Sequence, residues 1–174
     1  MNTKVLVAYA SKYGATKEIA EKIGLILKDA GFAVDVLPVD RVADVGFYQA
    51  VVLGSAVYIG GWRKGAAKFL RTNEKALAER PLWLFSSGPT GQGDPVELVK
   101  GWRFPKALQH IADRVKPRDI VLFQGAVFAE KLSAIGRWMI KNVKAPVGDF
   151  RDWNAITVWA GGIAVELKVL ICDS

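Results

Sequence analysis

Ser11, Tyr13 and Thr16 bring three hydroxyl groups around Gly14 near the start of the chain. A helical pattern begins directly behind them, so the N–H groups of this loop lie at the positive end of a helix dipole. Hydroxyls and free N–H groups at such a point are suited to binding a phosphate. Lys12 either adds positive charge to this site or is simply solvated.

Two more loops of small residues follow predicted strands. Residues 55–61 include Tyr58, and residues 87–94 are rich in glycine. The first loop lacks the Gly-x-x-x-x-Gly-Lys-Ser/Thr of a P-loop NTPase and the Gly-x-Gly-x-x-Gly of a dinucleotide site. A single loop of this kind could be an ordinary turn. Three such loops at the same edge of a sheet predict a binding site.

The order of predicted strands and helices places the three loops at one edge of the sheet, beyond the carboxyl ends of its strands. Apolar runs rich in β-forming residues predict strands at residues 5–10, 32–38, 50–54, 82–86 and 120–126. Apolar residues at helical spacing predict helices near residues 17–30, 66–77, 105–115, 130–144 and 152–167. This order indicates an α/β fold whose mostly parallel sheet is covered on both faces and binds ligands beyond the strands' carboxyl ends.

Composition and charge narrow the class of protein. The 174 residues have the composition of one globular domain, 1–174, and the net charge of +7 favours anionic partners. No nucleic-acid module accompanies that charge, so we expect no nucleic-acid binding. Apolar runs shorter than the roughly 20 residues of a membrane span, and no signal-peptide pattern, predict a cytoplasmic protein. Cys172 has no neighbouring ligands, so we expect no metal site.

The first loop resembles the flavodoxin pattern of hydroxyl-x-hydroxyl/aromatic-Gly-x-Thr, and the resemblance extends along the chain. The resembling segments are 9–20, 52–58, 125–127, 137–141 and 152–156, and the later ones are similar to the flavin-dependent protoporphyrinogen dehydrogenases of bacteria. The resemblance implies a flavodoxin-like three-layer sandwich with a five-stranded parallel sheet in the order 2-1-3-4-5. It also implies FMN as the cofactor.

The resemblance gives each loop a role toward FMN. Ser11, Lys12, Tyr13, Gly14, Ala15 and Thr16 would hold the phosphate. Ser55, Ala56, Val57 and Tyr58 would follow the isoalloxazine edge, with Tyr58 or Trp62 either stacking on the ring or merely capping the core. Ser87, Gly88, Pro89, Thr90 and Gly91 would flank the opposite side, unless they form an ordinary tight turn.

The reaction follows from the resemblance as well. It implies an FMN-dependent oxidoreductase in which an anionic porphyrinogen gives hydride equivalents to the flavin and a quinone reoxidises it. Arg63, Lys64, Arg103 or Arg137 would meet the substrate's propionates. The sequence names no catalytic residue, and we expect His110, the one histidine, to be solvated or at the core edge.

Residues 130–144 look like a basic amphipathic helix with Leu132, Ile135, Met139 and Val143 along one side. Such a helix borders the substrate, rests on a membrane surface near quinone, or packs on its own domain. In the membrane case the cytoplasmic protein would be peripheral to the inner face.

Two other functions stay open. One is a flavodoxin-type electron carrier that docks redox partner proteins, although the basic charge and a third loop without tyrosine weigh against it. The other is a domain that keeps the fold without flavin, which the intact first loop disfavours.

Overall fold

A computed structural model describes residues 3–172. The strands are β1 (Lys4–Ala10), β2 (Ala33–Pro38), β3 (Ala50–Tyr58), β4 (Gly61–Trp62), β5 (Leu82–Ser87), β6 (Asp119–Phe123), β7 (Ala126–Val127) and β8 (Gly148–Asp149). The helices are α1 (Ala15–Asp29), α2 (Lys64–Thr72), α3 (Glu74–Ala78), α4 (Pro95–Leu98), α5 (Lys106–Val115), α6 (Ala134–Val143) and α7 (Trp153–Cys172). That residues 1–174 form one domain stays a prediction, since its ends lie outside the described residues.

Five strands form a parallel sheet in the order β2-β1-β3-β5-β6. This is the predicted 2-1-3-4-5 order, with β4 added as a short antiparallel neighbour of β3. At the centre, Val7 lies opposite Val36 on one side and Val52 on the other. Because β1 and β3 are paired on both edges and covered on both faces, their runs are almost entirely apolar.

Two helical layers cover the sheet, which confirms the three-layer sandwich. Alternate residues of β1 point to opposite faces, so Leu6 joins a core with α2, α3 and α5, while Val7 joins a core with α1 and α7. The α1 contribution is a stripe of Ile19, Ile23 and Leu27 at helical spacing. The sheet's carboxyl ends, and the loops that follow them, therefore project from a rigid double core.

Three predicted boundaries were wrong for local reasons. The third strand continues past Gly54 to Tyr58, because its end pairs with β4 in a hairpin. The second predicted helix divides at Asn73, whose side-chain amide and backbone N–H both donate to the Phe69 carbonyl. The fifth strand ends at Phe123, and Ala126 pairs instead with Asp149 of β8.

The last two helices also differ from the predictions. α6 begins only at Ala134, because the Ser133 hydroxyl accepts the Gly136 N–H and caps the helix there. Asp152 caps α7 as predicted, by accepting the Ala155 N–H at 2.9 Å. Although it contains two adjacent glycines, α7 runs on to Cys172, and by length and composition it is sufficient to cross a membrane. One face of it nevertheless packs on the sheet, so this is weak evidence for a span.

Candidate functional site

A cavity of about 730 Å³ opens beyond the carboxyl ends of β1, β3 and β5. All the predicted site residues line it except Gly14, Ser55 and Gly91: Ser11, Lys12, Tyr13, Ala15, Thr16, Ala56, Val57, Tyr58, Ser87, Gly88, Pro89 and Thr90. The cavity volume lies within the range of small-molecule and cofactor sites. The strand topology thus brings the three predicted loops together around one space.

The first loop ends in a helix start whose first N–H groups have no partner within the helix. Gly14 has a φ of +97°, which a residue with a side chain rarely adopts, and its N–H donates to the Ser11 hydroxyl at 3.0 Å. The first intrahelical bond of α1 runs from the Glu18 N–H to the Gly14 carbonyl, also at 3.0 Å. The N–H groups of residues 15–17 precede that bond and are available to a ligand. Gly14 therefore contributes backbone conformation to the loop and not cavity surface.

Tyr13 joins the first loop to α6. Among residues 3–172 its buried hydroxyl completes no hydrogen bond. It lies so close to Gly136 that a Cβ at that position would be 2.6 Å from it. The hydroxyl is therefore enclosed between the first loop and α6, while other atoms of Tyr13 line the cavity.

The second loop is largely a strand end, not a loop. Ser55 is buried, accepts the Arg63 N–H at 3.0 Å and donates to the Ala56 carbonyl, so it holds the hairpin together from outside the cavity. Trp62 is not a stacking residue, because its ring is buried and its N–H donates to the Ser86 hydroxyl at 2.8 Å. Tyr58 lines the cavity, where burial raises its pKa.

The third loop is bound to the end of β6. The Gly88 N–H donates to the Phe123 carbonyl at 3.3 Å, and the Gly125 N–H donates to the Pro89 carbonyl at 2.9 Å. A Cβ at Gly88 would lie 2.9 Å from the Cβ of Val57, so this loop approaches the second one at a distance that favours glycine. Gly91 lies outside the cavity surface, and its carbonyl accepts the Gln124 side-chain amide.

The sequence reasoning named none of the opposite wall as site residues, although it offered residues 130–144 as one border of the substrate. This wall comprises mostly apolar residues of α4 and its surroundings, of the segment after β6, and of α6 and the turn behind it: Leu98, Val99, Trp102, Gly125, Ala126, Val127, Phe128, Leu132, Gly136, Met139, Ile140, Val143, Lys144, Ala145 and Pro146. The helical periodicity of α6 indicated an apolar face, but nothing local showed that this face would cover the first loop. Ile135, placed on that face by its spacing, is 72% exposed on the outer side.

The charges of the cavity also differ from expectation. In the part of the chain that the structure describes, Arg63, Lys64, Arg103 and Arg137 do not line it. Lys12 and Lys144 do, and the Lys12 ammonium lies 5.1 Å from the centre of the Tyr13 ring and 5.7 Å from that of Tyr58. His110 is exposed on α5, as predicted.

Comparison with known proteins now decides the family. A family profile described as "Flavodoxin domain" matches residues 6–154, which include all three loops and α6. The chain belongs to the flavodoxin-domain family. The predicted FMN cofactor is thereby confirmed for this flavodoxin domain.

Individual relatives agree with that assignment. The chain is 27% identical over 172 residues to a protein from Escherichia coli K12 named protoporphyrinogen IX dehydrogenase [quinone], covering 92% of this chain and 94% of that one. An archaeal flavodoxin structure aligns at a TM-score of 0.61 with 16% identity, over 95% of this chain and 99% of the other. A mutant flavodoxin from Pseudomonas aeruginosa aligns at 0.58 with 15% identity over the same shares. These two structures show the shared fold.

The cavity fits FMN by its own chemistry. Available N–H groups at residues 15–17 suit a phosphate. Gly88 allows the second and third loops to approach each other, since a Cβ there would meet Val57, and both loops line the cavity. The remaining apolar surface suits the isoalloxazine system.

Proposed function

We propose that this flavodoxin domain is an FMN-dependent oxidoreductase of the protoporphyrinogen dehydrogenase type, with a quinone as electron acceptor. The observation that supports this most is the apolar roof over the cavity, formed by Leu132 just before α6 and by residues on the inner face of the helix: Gly136, Met139, Ile140 and Val143. A carrier exchanges electrons at an exposed cofactor edge, whereas a dehydrogenase also encloses its substrate away from water. The roof provides such an enclosure.

Different residues of the cavity would bind the cofactor and orient the substrate. When bound, FMN supplies the electron-accepting chemistry. The first loop anchors the phosphate, and Trp102, Phe128 and Pro146 offer apolar surface to a flat, largely apolar substrate. Lys12 and Lys144 are placed to pair with carboxylate groups of that substrate. An anionic macrocycle matches both features.

The lining also limits how the protein takes part in proton transfer. Its residues, all within 3–172, include no carboxylate and no imidazole, and the phenols of Tyr13 and Tyr58 are its acidic groups. The described residues that line the cavity therefore include no carboxylate or imidazole that could act as a general base. We infer that catalysis depends on positioning and on exclusion of water.

The outer face of α6 supports a contact with a membrane surface. Ile135 and Trp138 are 72% and 67% exposed there, and Arg137 and Lys141 are exposed beside them. Exposed apolar side chains among cations are typical of helices that lie on anionic lipid. Docking in this way would bring the cavity near membrane quinone and place the cytoplasmic protein at the inner face.

Vesicle binding tests the membrane contact. Trp138→Ser should reduce cosedimentation with anionic phospholipid vesicles, because it removes the largest exposed apolar side chain of α6. Val158→Ser on α7 is the matched control, since Val158 is also 67% exposed. Equal binding by both variants and the parent protein would contradict an α6-mediated contact.

One observation favours the alternative of an electron carrier. Ile59, in the turn between β3 and β4, lines the cavity mouth and is 91% exposed. An apolar side chain at that point suits a transient contact with a redox partner protein. The positive net charge would then favour an acidic partner.

A turnover assay separates the two functions. The FMN-loaded chain is mixed anaerobically with protoporphyrinogen and a soluble quinone analogue, with FMN-free protein as control. We expect saturable, quinone-dependent formation of protoporphyrin. An FMN-loaded protein that gives no turnover, yet exchanges electrons with a small redox protein, would overturn the enzymatic proposal in favour of the carrier.

A further inference from the structure

Arg151 is a buried cation outside the cavity, between β8 and α7, and its side chain is 4% exposed. Its guanidinium binds Asp149 through two bonds, from Nε to Oδ1 at 2.8 Å and from Nη2 to Oδ2 at 2.6 Å. The Nη1 group donates to Glu18 at 2.6 Å and to the Ala15 carbonyl at 3.2 Å. A buried arginine costs desolvation free energy, so such complete pairing indicates a specific structural task.

The partners of Arg151 belong to the two walls of the cavity. Ala15 and Glu18 form the first turn of α1, which carries the available N–H groups of the phosphate loop. Asp149 pairs with Ala126 of β7, and β7 and Phe128 line the facing wall. The guanidinium also lies against the Phe128 ring, 5.9 Å from its centre. One side chain therefore sets the position of the phosphate loop relative to this wall.

The bond to the Ala15 carbonyl acts on the phosphate donors directly. In a trans peptide the C=O and the next N–H point in opposite directions, so a fixed Ala15 carbonyl also fixes the Thr16 N–H. Arg151 further pairs with the Glu18 carboxylate, whose charge would otherwise oppose a phosphate at the same helix end. The fixed Thr16 N–H and the paired Glu18 carboxylate both favour binding of a phosphate anion at the start of α1.

From these contacts we infer that Arg151 is a positioning residue for the FMN phosphate, acting through the first turn of α1 without touching the cofactor. This inference rests on the proposed placement of FMN in the cavity. It implies that Arg151 contributes to the affinity for FMN and not to the affinity for riboflavin, which has the same ring system and no phosphate.

Fluorescence titration of the full chain with FMN and with riboflavin tests this. Arg151→Lys keeps the charge but loses the two-pronged geometry, so we expect FMN to bind about tenfold more weakly while riboflavin affinity stays within about twofold. Arg118→Lys is the control, because Arg118 also forms a carboxylate pair, with Glu166, but does so away from the cavity. It should leave both affinities unchanged.

Other outcomes identify which idea fails. Equal weakening of FMN and riboflavin in Arg151→Lys, or no weakening of either, would overturn the positioning role while leaving the FMN site intact. A parent chain that binds neither ligand would instead contradict the proposed site. If Arg151→Lys does not fold, Asp149→Asn perturbs the same pair from a partly exposed position and should shift the FMN-to-riboflavin ratio in the same direction.

Discussion

The two walls of the cavity are built in opposite ways. The phosphate loop is a short contiguous segment whose conformation is fixed internally, by the Ser11 hydroxyl and by the helical bond from Glu18 to Gly14. The α6 roof comes from a distant part of the chain and meets the loop through Tyr13 and Gly136. Its outer face remains exposed. The proposed phosphate-binding loop is thus encoded locally, whereas the proposed substrate side depends on tertiary packing of an amphipathic helix.

The largest expected effect concerns the local conformation of the loop. Gly14→Val places a β-branched residue at a φ of +97°, which costs about 1–3 kcal/mol and rearranges the N–H groups. Its added Cβ would meet nothing within 4 Å, so the damage is conformational. We expect FMN affinity, measured by titration, to fall about ten- to a hundredfold.

Gly31→Val is the control for that change. Gly31 has a φ of +100° and open space around its Cβ position, but it lies at the far end of α1. The variant should lose comparable stability and keep its FMN affinity. Similar losses of affinity in both variants would show that the first loop has no special part in binding.

A smaller effect is expected on the roof. Met139→Glu adds a carboxylate to the cavity surface and should raise KM for an anionic substrate about tenfold by like-charge repulsion. Met139→Lys at the same site should leave KM unchanged or lower it. Steady-state kinetics of the FMN-loaded variants measure both, and equal KM values would mean that α6 does not face the substrate.

A still smaller effect is expected when the contact between Tyr13 and Gly136, which joins the two walls, is altered. Tyr13→Phe removes a buried hydroxyl that completes no hydrogen bond within residues 3–172. Thermal unfolding of the FMN-free protein should therefore be unchanged or stabilised by about 1 kcal/mol. FMN affinity should stay within about twofold, because the enclosed hydroxyl does not reach the cavity surface. A destabilised FMN-free protein would mean that the hydroxyl is paired after all.

The smallest effect concerns pH and the Arg151 network that joins the walls. Arg151 holds the pKa of Asp149 below its usual value. Between the folded and unfolded pKa values the unfolded chain binds more protons, so this stabilisation is present above about pH 4 and is lost on further acidification. Asp149→Asn cannot titrate and should lose less stability than the parent protein as the pH falls. Parallel stability curves would contradict the coupling.

The sequence could predict the wall of the cavity that is encoded locally, but not the wall that depends on tertiary packing. The first loop could be predicted as a phosphate site because its hydroxyls, its glycine and the helix start lie within six successive residues, 11–16. The continuation of β3 depends on pairing with Trp62, and the outward direction of Ile135 depends on the packing of Gly136 against Tyr13. Local periodicity carries no information about such contacts. The role of Arg151 could not be predicted for the same reason, because its partners Glu18 and Asp149 lie far apart in the chain.

Rapid mixing of the FMN-loaded chain with protoporphyrinogen, without oxygen, tests the central claim most directly, because the flavin absorbance reports electron transfer inside the cavity. We predict that the oxidised flavin band bleaches at a rate that saturates with substrate concentration and returns when a quinone analogue is added. A flavin band that stays unchanged in the presence of substrate would contradict the proposal that α6 and the three loops enclose a dehydrogenase site.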